Sequence, residues 1–204
     1  MDTTNHSPYA IGDRSYGLNT SNNRFSCYTN ILDTMHGQMQ AMLSLVVVRV
    51  DLHCYKYTLC NTELSRFMCK VRKPLYSHYK CTRFGYLWVR EQERSKSQHY
   101  HVILIIVANK VRYPLALLGW LQVRWSVRGH ARPYVPKNCF YKVHRGNDDT
   151  FAEAFYRCSY LAKERGKGYG GSCSNNYSGS RVRLKGKYGD HYKNKSVFGP
   201  CSSF

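Results

Sequence analysis

Two histidines stand at the start of the most apolar segment of this chain, the run from His99 to Val107. The sequence HYHVILIIV is rich in β-branched residues and predicts a β-strand. Side chains two residues apart on a strand point to the same side of the sheet. His99 and His101 are therefore predicted to face one divalent metal ion together.

The preceding segment supplies a candidate third ligand. Residues 84–91 predict another strand, and the polar stretch 92–98 predicts a long loop, so the two strands would form an antiparallel hairpin. Glu91 and Glu93 lie on one face of that strand, and Glu91 is preferred because it lies within the strand. Two imidazoles and a carboxylate leave open positions for water and a phosphate oxygen. The expected cofactor is a divalent metal, magnesium or manganese.

Two tyrosines and a lysine recur at helical spacing later in the chain. Tyr156, Tyr160 and Lys163 follow one another at intervals of four and three residues, so they would line one stripe of a helix. Such a stripe more often packs a core, and 18 tyrosines make chance pairs frequent. Beside a metal site, however, it predicts tyrosine attack on a phosphate, because a phenol with a pKa of about 10 needs assistance.

The charge of the chain favours a polyanionic partner. Lysine and arginine number 31 and the acidic residues 12, which gives a formal net charge of +19. Each phosphate that the protein neutralises releases counterions, so nucleic acid is the expected partner, ahead of anionic membranes and acidic proteins. The longest apolar stretch, Val102 to Ala108, is too short to span a bilayer, and no signal-peptide pattern opens the chain. A cytoplasmic protein with reduced cysteines and no membrane association is expected.

The predicted elements follow the order helix, strand, helix, strand, strand, helix, strand, helix. Helices are predicted over 30–43, 62–71, 113–127 and 150–163, with Pro74 ending the second and Thr150 capping the last. Strands are predicted over 44–57, 84–91, from His99, and over 140–144; one face of the first is apolar, and the other becomes polar toward its end. This order predicts an α+β fold with helices packed on one antiparallel sheet.

Changes in composition suggest three regions. Residues 1–29 are interpreted as a polar N-terminal arm and residues 30–165 as the catalytic domain. Residues 166–204 are interpreted as a basic, flexible tail rich in glycine, serine and tyrosine, suited to following a phosphate backbone.

Taken in order, the motifs resemble a known family. His-hydrophobic-His on a strand, followed by Tyr-x-x-Lys on a later helix, is similar to the HUH endonuclease superfamily of rolling-circle replication initiators. The segments 49–53, 86–91, 99–102 and 159–163 resemble the inovirus-type replication proteins also found in cryptic prophages, the YagK/YfjJ C-terminal domain family. The likeness covers roughly residues 30–165.

The resemblance implies a ferredoxin-like palm with the metal on the sheet face. It makes His99 and His101 metal ligands, Tyr160 the primary nucleophile, Tyr156 a second nucleophile, and Lys163 the assisting base or a phosphate contact. The implied activity is nicking and rejoining of single-stranded DNA at a replication origin through a 5′-phosphotyrosine intermediate. Expected partners are single-stranded or hairpin origin DNA and a separate helicase and polymerase of a bacterial host, since the chain has no P-loop motif.

Two other functions stay open at this point. One is a non-catalytic prophage DNA-binding regulator on a decayed HUH scaffold, in which the basic tail supplies the binding. The other is a metal-dependent phosphohydrolase that uses activated water. Against the hydrolase stand the single His-x-His pair and the few carboxylates of the chain.

Overall fold

The structure, a computed structural model of the 204-residue chain, describes residues 9–11, 14–19, 29–40, 44–82, 84–92, 97–109, 111–144, 146–163, 166–169 and 175–180. Its strands are β1 (Tyr9–Ile11), β2 (Arg14–Tyr16), β3 (Ser44–His53), β4 (Phe84–Glu91), β5 (His99–Val107), β6 (Phe140–His144) and β7 (Tyr177–Gly179). Its helices are α1 (Thr29–Gln40), α2 (Thr62–Tyr79), α3 (Leu115–Ser126) and α4 (Asp148–Ser159), followed by a 3-10 helix, Tyr160–Ala162.

Five strands form one sheet in the order β6-β3-β5-β4-β7, and every neighbouring pair is antiparallel. The succession β3-α2-β4-β5-α3-β6, with the strand order β6-β3-β5-β4, is the ferredoxin-like β-α-β-β-α-β arrangement. The fold class predicted from the sequence, α+β with helices packed on an antiparallel sheet, is confirmed. Strands β1 and β2 pair separately as a small hairpin.

Helices cover both faces of the sheet because the central strands are apolar on both sides. On one face, α2 and α3 pack on alternate residues of β3, including Val46, Val48 and Val50. On the other face, α1 and α4 pack on the intervening positions, including Leu45 and Val47. This second face changes character along β3, where the apolar positions give way to the polar side chains of Arg49, Asp51 and His53.

Helix α2 continues past Pro74, so the prediction that proline ends this helix is wrong. Proline removes one backbone hydrogen bond and strains the preceding turn. In α2 the side chains of Val71, Pro74 and Leu75 are all buried against the sheet. Tertiary packing of that face therefore outweighs the local cost, and the helix ends only at Tyr79, where Lys80 adopts a left-handed conformation.

Both ends of the last helix differ from the prediction. Its N-cap is Asn147, whose side chain accepts a hydrogen bond from the Thr150 backbone N–H at 3.0 Å. Its regular winding ends at Ser159, four residues before Lys163. The Ser159 hydroxyl donates to the Tyr156 carbonyl, a local bond that competes with helical pairing and favours a tighter 3-10 turn.

The ordered structure also extends beyond residues 30–165 at both ends. Strand β2 lies within the predicted N-terminal arm, and its Tyr16 is buried among the side chains of α1 and α4. Strand β7 lies within the predicted tail and pairs with β4. Those two regions are therefore not uniformly loose, because a buried aromatic ring and a strand edge each fix part of them. The polar composition of both regions concealed these short strands.

The strand predicted over 44–57 ends at His53, and residues 54–61 form a loop. The side-chain oxygen of Gln98 accepts a hydrogen bond from the Thr58 backbone N–H in this loop. The buried guanidinium of Arg90 donates to the Thr58 carbonyl at 2.7 Å. Side-chain partners thus replace the ladder that would have extended β3.

Among the described residues, no helix is both long and apolar enough to cross a membrane. In the described part of the chain, Cys54, Cys60, Cys69, Cys139 and Cys158 are free thiols.

Phe155 fixes α4 to the rest of the second face, and its removal tests that packing. Its fully buried ring packs on Tyr9, Tyr16 and Phe151 at centroid distances of 5.1 to 6.1 Å. Phe155→Ala should lower the free energy of unfolding by about 3–5 kcal/mol, because the cavity stays unfilled. Urea denaturation measures the change. Val123→Ala, at an exposed apolar position of α3, should change the free energy of unfolding by less than about 0.5 kcal/mol.

Acid should destabilise the fold through His36 of α1. The ring is buried near Tyr16 and Phe151, and burial lowers the pKa of His36 to about 4. The unfolded chain then binds more protons than the native state, so the unfolding free energy falls as pH drops from about 6.5 toward 4. His36→Gln should lose less stability between pH 7 and pH 4.5 than the unsubstituted protein does, as measured by urea unfolding. An equal loss would contradict this assignment, and the exposed His144→Gln serves as the control.

Candidate metal centre

Three adjacent strands place their polar side chains in two rows on the second face of the sheet. The antiparallel register sets Glu91 and His53 on either side of His99. One row further along, Asp51 lies opposite His101. These positions continue the buried apolar rows of the same face, so the fold brings the polar ends of β3, β4 and β5 together.

Glu91, His99 and His101 form a cluster that could hold a metal ion. Their ligand atoms all lie within 4.8 Å of one another. Glu91 Oε2 is 3.3 Å from His101 Nε2 and 3.8 Å from His99 Nε2. Ligands bound at about 2.1 Å to one octahedral ion would lie roughly 3–4 Å apart, so these spacings fit a shared ion. The predicted pairing of the two imidazoles and the choice of Glu91 agree with this geometry, whereas Glu93 lies outside the described residues.

Asp51 holds the His101 ring in the orientation that a metal ligand would need. His101 Nδ1 donates to Asp51 Oδ1 at 2.8 Å, and this bond directs Nε2 toward Glu91. A carboxylate behind a ligating histidine fixes its tautomer and orientation in many metal sites. The other Asp51 contacts come from Arg49, whose Nε and Nη2 each lie 3.1 Å from the carboxylate.

The electrostatics of the cluster show where a cation fits. Burial and, after it, the charge of His101 lower the pKa of His99 to about 4, so the His99 ring is neutral near pH 7. Burial opposes charge on His101, but hydrogen bonds to Asp51 and Glu91 raise the pKa of His101 above its ordinary value. Without a metal, a proton on His101 Nε2 is needed, because this nitrogen and the Glu91 carboxylate oxygen would otherwise repel each other. A divalent ion satisfies the same nitrogen and carboxylate together, so the donor set fits the predicted ion.

The carboxylates at the cluster are held in the ionised state. Burial alone would raise the pKa values of Glu91 and Asp51. Hydrogen bonds and charge from His101 outweigh burial at both groups and bring each pKa to about 2, with help from Lys167 and Lys163 at Glu91 and from Arg49 at Asp51. Both groups are therefore anions at neutral pH, Glu91 as a candidate ligand and Asp51 as the partner of His101.

The 3-10 turn brings Tyr160 and Lys163 to this cluster. Three residues per turn set side chains at i and i+3 on one line, and the Lys163 ammonium donates to the Tyr160 hydroxyl. The same Lys163 Nζ lies 3.6 Å from Glu91 Oε2. The guanidinium of Arg49 lies 5.9 Å from the centroid of the Tyr160 ring, on its face. Tyr160 is thus connected to the metal cluster through one lysine.

Tyr156 has a different environment from Tyr160. It belongs to the last regular turn of α4, its side chain is 41% exposed, and its ring edge lies beside Gly17. In the described residues its side chain makes no hydrogen bond to the metal cluster. The shift from α-helical to 3-10 winding after Ser159 separates the single stripe that the sequence predicts. The assignment of Tyr156 as a second nucleophile stays a prediction.

Lys167 is a site residue that sequence reasoning missed. Its fully buried Nζ lies 3.2 Å from Glu91 Oε1 and also donates to the Lys163 carbonyl. Gly166 reaches the carboxylate with a φ of +84°, and an added Cβ there would lie 3.3 Å from Glu91 Oε2. The chain beside β4 is fixed by a backbone bond from Gln92 to Gly166. Since Lys167 lies in a segment without periodicity, only its spacing of four from Lys163 hinted at it.

Comparison with known proteins gives a family. The YagK/YfjJ C-terminal domain family matches residues 13–177. The chain belongs to this family. The matched region of this YagK/YfjJ C-terminal domain includes β2 and the segment that carries Lys167, so it extends beyond residues 30–165 at both ends. Comparisons with curated proteins and with solved structures gave no match.

Asp51 should matter for metal affinity although it is outside the ligand set. Asp51→Asn keeps the size of the side chain but weakens the hold on His101 Nδ1–H, and such changes lower metal affinity by about 10- to 100-fold. Calorimetric titration with Mn²⁺ measures the effect. His144→Ala, on the exposed end of β6, should bind Mn²⁺ as tightly as the unsubstituted protein. Equal affinity in Asp51→Asn and in the unsubstituted protein would contradict the assigned role of Asp51.

Proposed function

We propose that this chain is a metal-assisted DNA strand transferase of the HUH endonuclease superfamily, acting as a rolling-circle replication initiator. Tyr160 nicks single-stranded or hairpin DNA at an origin and later rejoins it. A separate helicase and polymerase of a bacterial host would extend the nicked strand in the cytoplasm. The observation that carries this proposal is the position of Lys163, which contacts both the Tyr160 hydroxyl and Glu91 of the metal cluster.

The surroundings of Tyr160 suit attack on a phosphodiester. Two cations face this phenol, since Lys163 donates to its oxygen and Arg49 lies over its ring. Positive charge next to the hydroxyl stabilises the phenolate that a nucleophilic tyrosine needs. The same charges favour the binding of a phosphate, and the net charge of +19 favours a nucleic acid as its source.

The proposed step exchanges one phosphate ester for another. The Tyr160 oxygen forms a bond to phosphorus, and the bond from phosphorus to the 3′ oxygen of the preceding nucleotide breaks. The phenol loses a proton and the departing oxygen gains one, which leaves a 5′-phosphotyrosine and a free 3′-hydroxyl. No electron is transferred, and the ester energy is retained, so the reverse step rejoins the strand without a nucleotide cofactor. Lys163 acts on Tyr160 as a hydrogen-bond donor or, when neutral, as the base.

His99, His101 and Glu91 would hold the metal ion, which when bound polarises the scissile phosphate and orients it. Imidazole ligands suit transition ions, and carboxylate suits Mg²⁺ and Mn²⁺, so the mixed donor set favours Mn²⁺ over Mg²⁺. Three protein ligands leave positions free for a phosphate oxygen and water.

Covalent capture of DNA tests the function directly. The protein is incubated with Mn²⁺ and a labelled pool of single-stranded oligonucleotides of random sequence, and SDS-stable adducts are separated by electrophoresis. Tyr160→Phe should reduce the adduct to background, because it removes only the attacking oxygen. Tyr156→Phe, in the last turn of α4, is the matched control, and at least half of the adduct should remain if Tyr160 is the primary nucleophile.

The same assay separates the alternatives. Cleavage without an adduct would indicate a phosphohydrolase that uses water. DNA binding without cleavage, unchanged in His99→Ala, would indicate a non-catalytic prophage regulator on a decayed scaffold. An adduct that survives Tyr160→Phe would remove Tyr160 from the nucleophilic role.

A further inference from the structure

Helix α2 presents a stripe of basic side chains on its exposed side. Arg66, Lys70, Lys73 and Ser77 of α2 and Lys80, the residue that directly follows the helix, recur every three or four residues, and all five are exposed. Residues at this spacing share one face of a helix. The stripe from Arg66 to Lys80 is about 21 Å long at 1.5 Å per residue. All of its members are cations or hydroxyl donors.

The charge of the stripe is not balanced by acids along its length. Between Glu63 and Glu91 the sequence contains no aspartate or glutamate. Glu63, at the start of α2, lies 3.3 Å from Arg66 and 3.0 Å from Arg128. The Glu63–Arg66 pair is exposed to solvent, so it is weak and leaves the arginine available to another anion.

The stripe is remote from the metal centre in the fold. Helix α2 packs on the face of the sheet that carries Val46 and Val48, whereas His99 and His101 lie on the opposite face. The DNA segment bound at the metal centre therefore cannot contact the stripe through the same nucleotides. A partner of the stripe has to be a second segment of polyanion.

We propose that this stripe binds the phosphate backbone of duplex DNA that flanks the nicked strand, an inference that rests on the proposed function. A straight row of cations about 21 Å long extends along about six base-pair steps of 3.4 Å rise and exceeds the major-groove width of about 12 Å, so its cations can reach phosphates of both strands of a duplex. Single-strand sites combine cations with open aromatic rings for base stacking. Tyr76 is an exposed tyrosine of α2, and the Lys80 ammonium lies over its ring at 5.6 Å. Rigid, regularly spaced phosphates therefore match this surface better than flexible single strands.

Salt dependence of duplex binding measures the contacts. The triple variant Arg66→Ala, Lys70→Ala and Lys73→Ala is compared with a control of equal charge, Arg112→Ala, Arg132→Ala and Lys137→Ala, in which the exposed cations lie outside α2. The probe is a blunt 30-base-pair duplex titrated by fluorescence anisotropy at several salt concentrations. Alanine is a good helix former, so α2 is expected to stay folded, which circular dichroism verifies.

The slope of log affinity against log salt is negative. In the α2 variant it should be shallower by about 2.7 than in the unsubstituted protein, at 0.9 per lost phosphate contact. In the control it should be shallower by less than one. Equal slopes for the two variants, or no duplex binding by the unsubstituted protein, would contradict the proposal that the stripe binds DNA. An equal loss of affinity for a single-stranded 30-mer would overturn the assignment to duplex DNA.

Adduct formation with the single-stranded pool should be unchanged in the α2 variant, since the metal cluster lies on the other face. Each of the two proposals can therefore be contradicted without affecting the other. Absence of any adduct contradicts the nicking function, whereas the salt slopes test the α2 stripe without requiring chemistry.

Discussion

The buried carboxylate of Glu91 is the contact on which the rest of the site depends. A buried anion is costly unless it is paired and hydrogen-bonded. Its partners come from three parts of the chain, namely His101 of β5, Lys163 after the 3-10 turn, and Lys167 beside β4. One side chain thus fixes the end of the α4 segment and the chain beyond it against the sheet. The position of Tyr160 follows from this arrangement, because Lys163 binds both groups.

The arrangement would also let one site bind both a metal ion and a polyanion, as the proposed function requires. Glu91 Oε1 pairs with the Lys167 ammonium, whereas Oε2 lies beside His99 and His101, where a metal ion could bind. The cations around the cluster exceed its carboxylates, so a phosphate that adds negative charge should strengthen the binding of a divalent ion there. Under the proposed function, metal and DNA would therefore strengthen each other's binding.

Periodicity in the sequence predicted those parts of the site that one strand or one strand pair determines. The His-x-His spacing and the position of Glu91 in β4 required only the alternation of side chains and an antiparallel register. Lys167 could not be predicted, because its contact depends on how an aperiodic segment returns to the edge of β4. The continuation of α2 through Pro74 and the early end of α4 at Ser159 were missed for a related reason. In both helices, a contact distant in sequence or a single hydroxyl bond outweighed the local propensity.

The two faces of the sheet set a geometric condition on any DNA that uses both. On the second face, α1 and α4 cover the apolar half and leave the polar half to the ligands. On the first face, α2 lies over the sheet, so its basic stripe is separated from His99 by a helix layer and a sheet layer. A helix layer is about 10 Å thick, and a duplex cannot pass through it. If both proposals hold, the strand that reaches Tyr160 must leave the duplex and pass around an edge of the sheet. The protein would then hold the junction between paired and unpaired DNA, where a nicking tyrosine meets a bare phosphodiester.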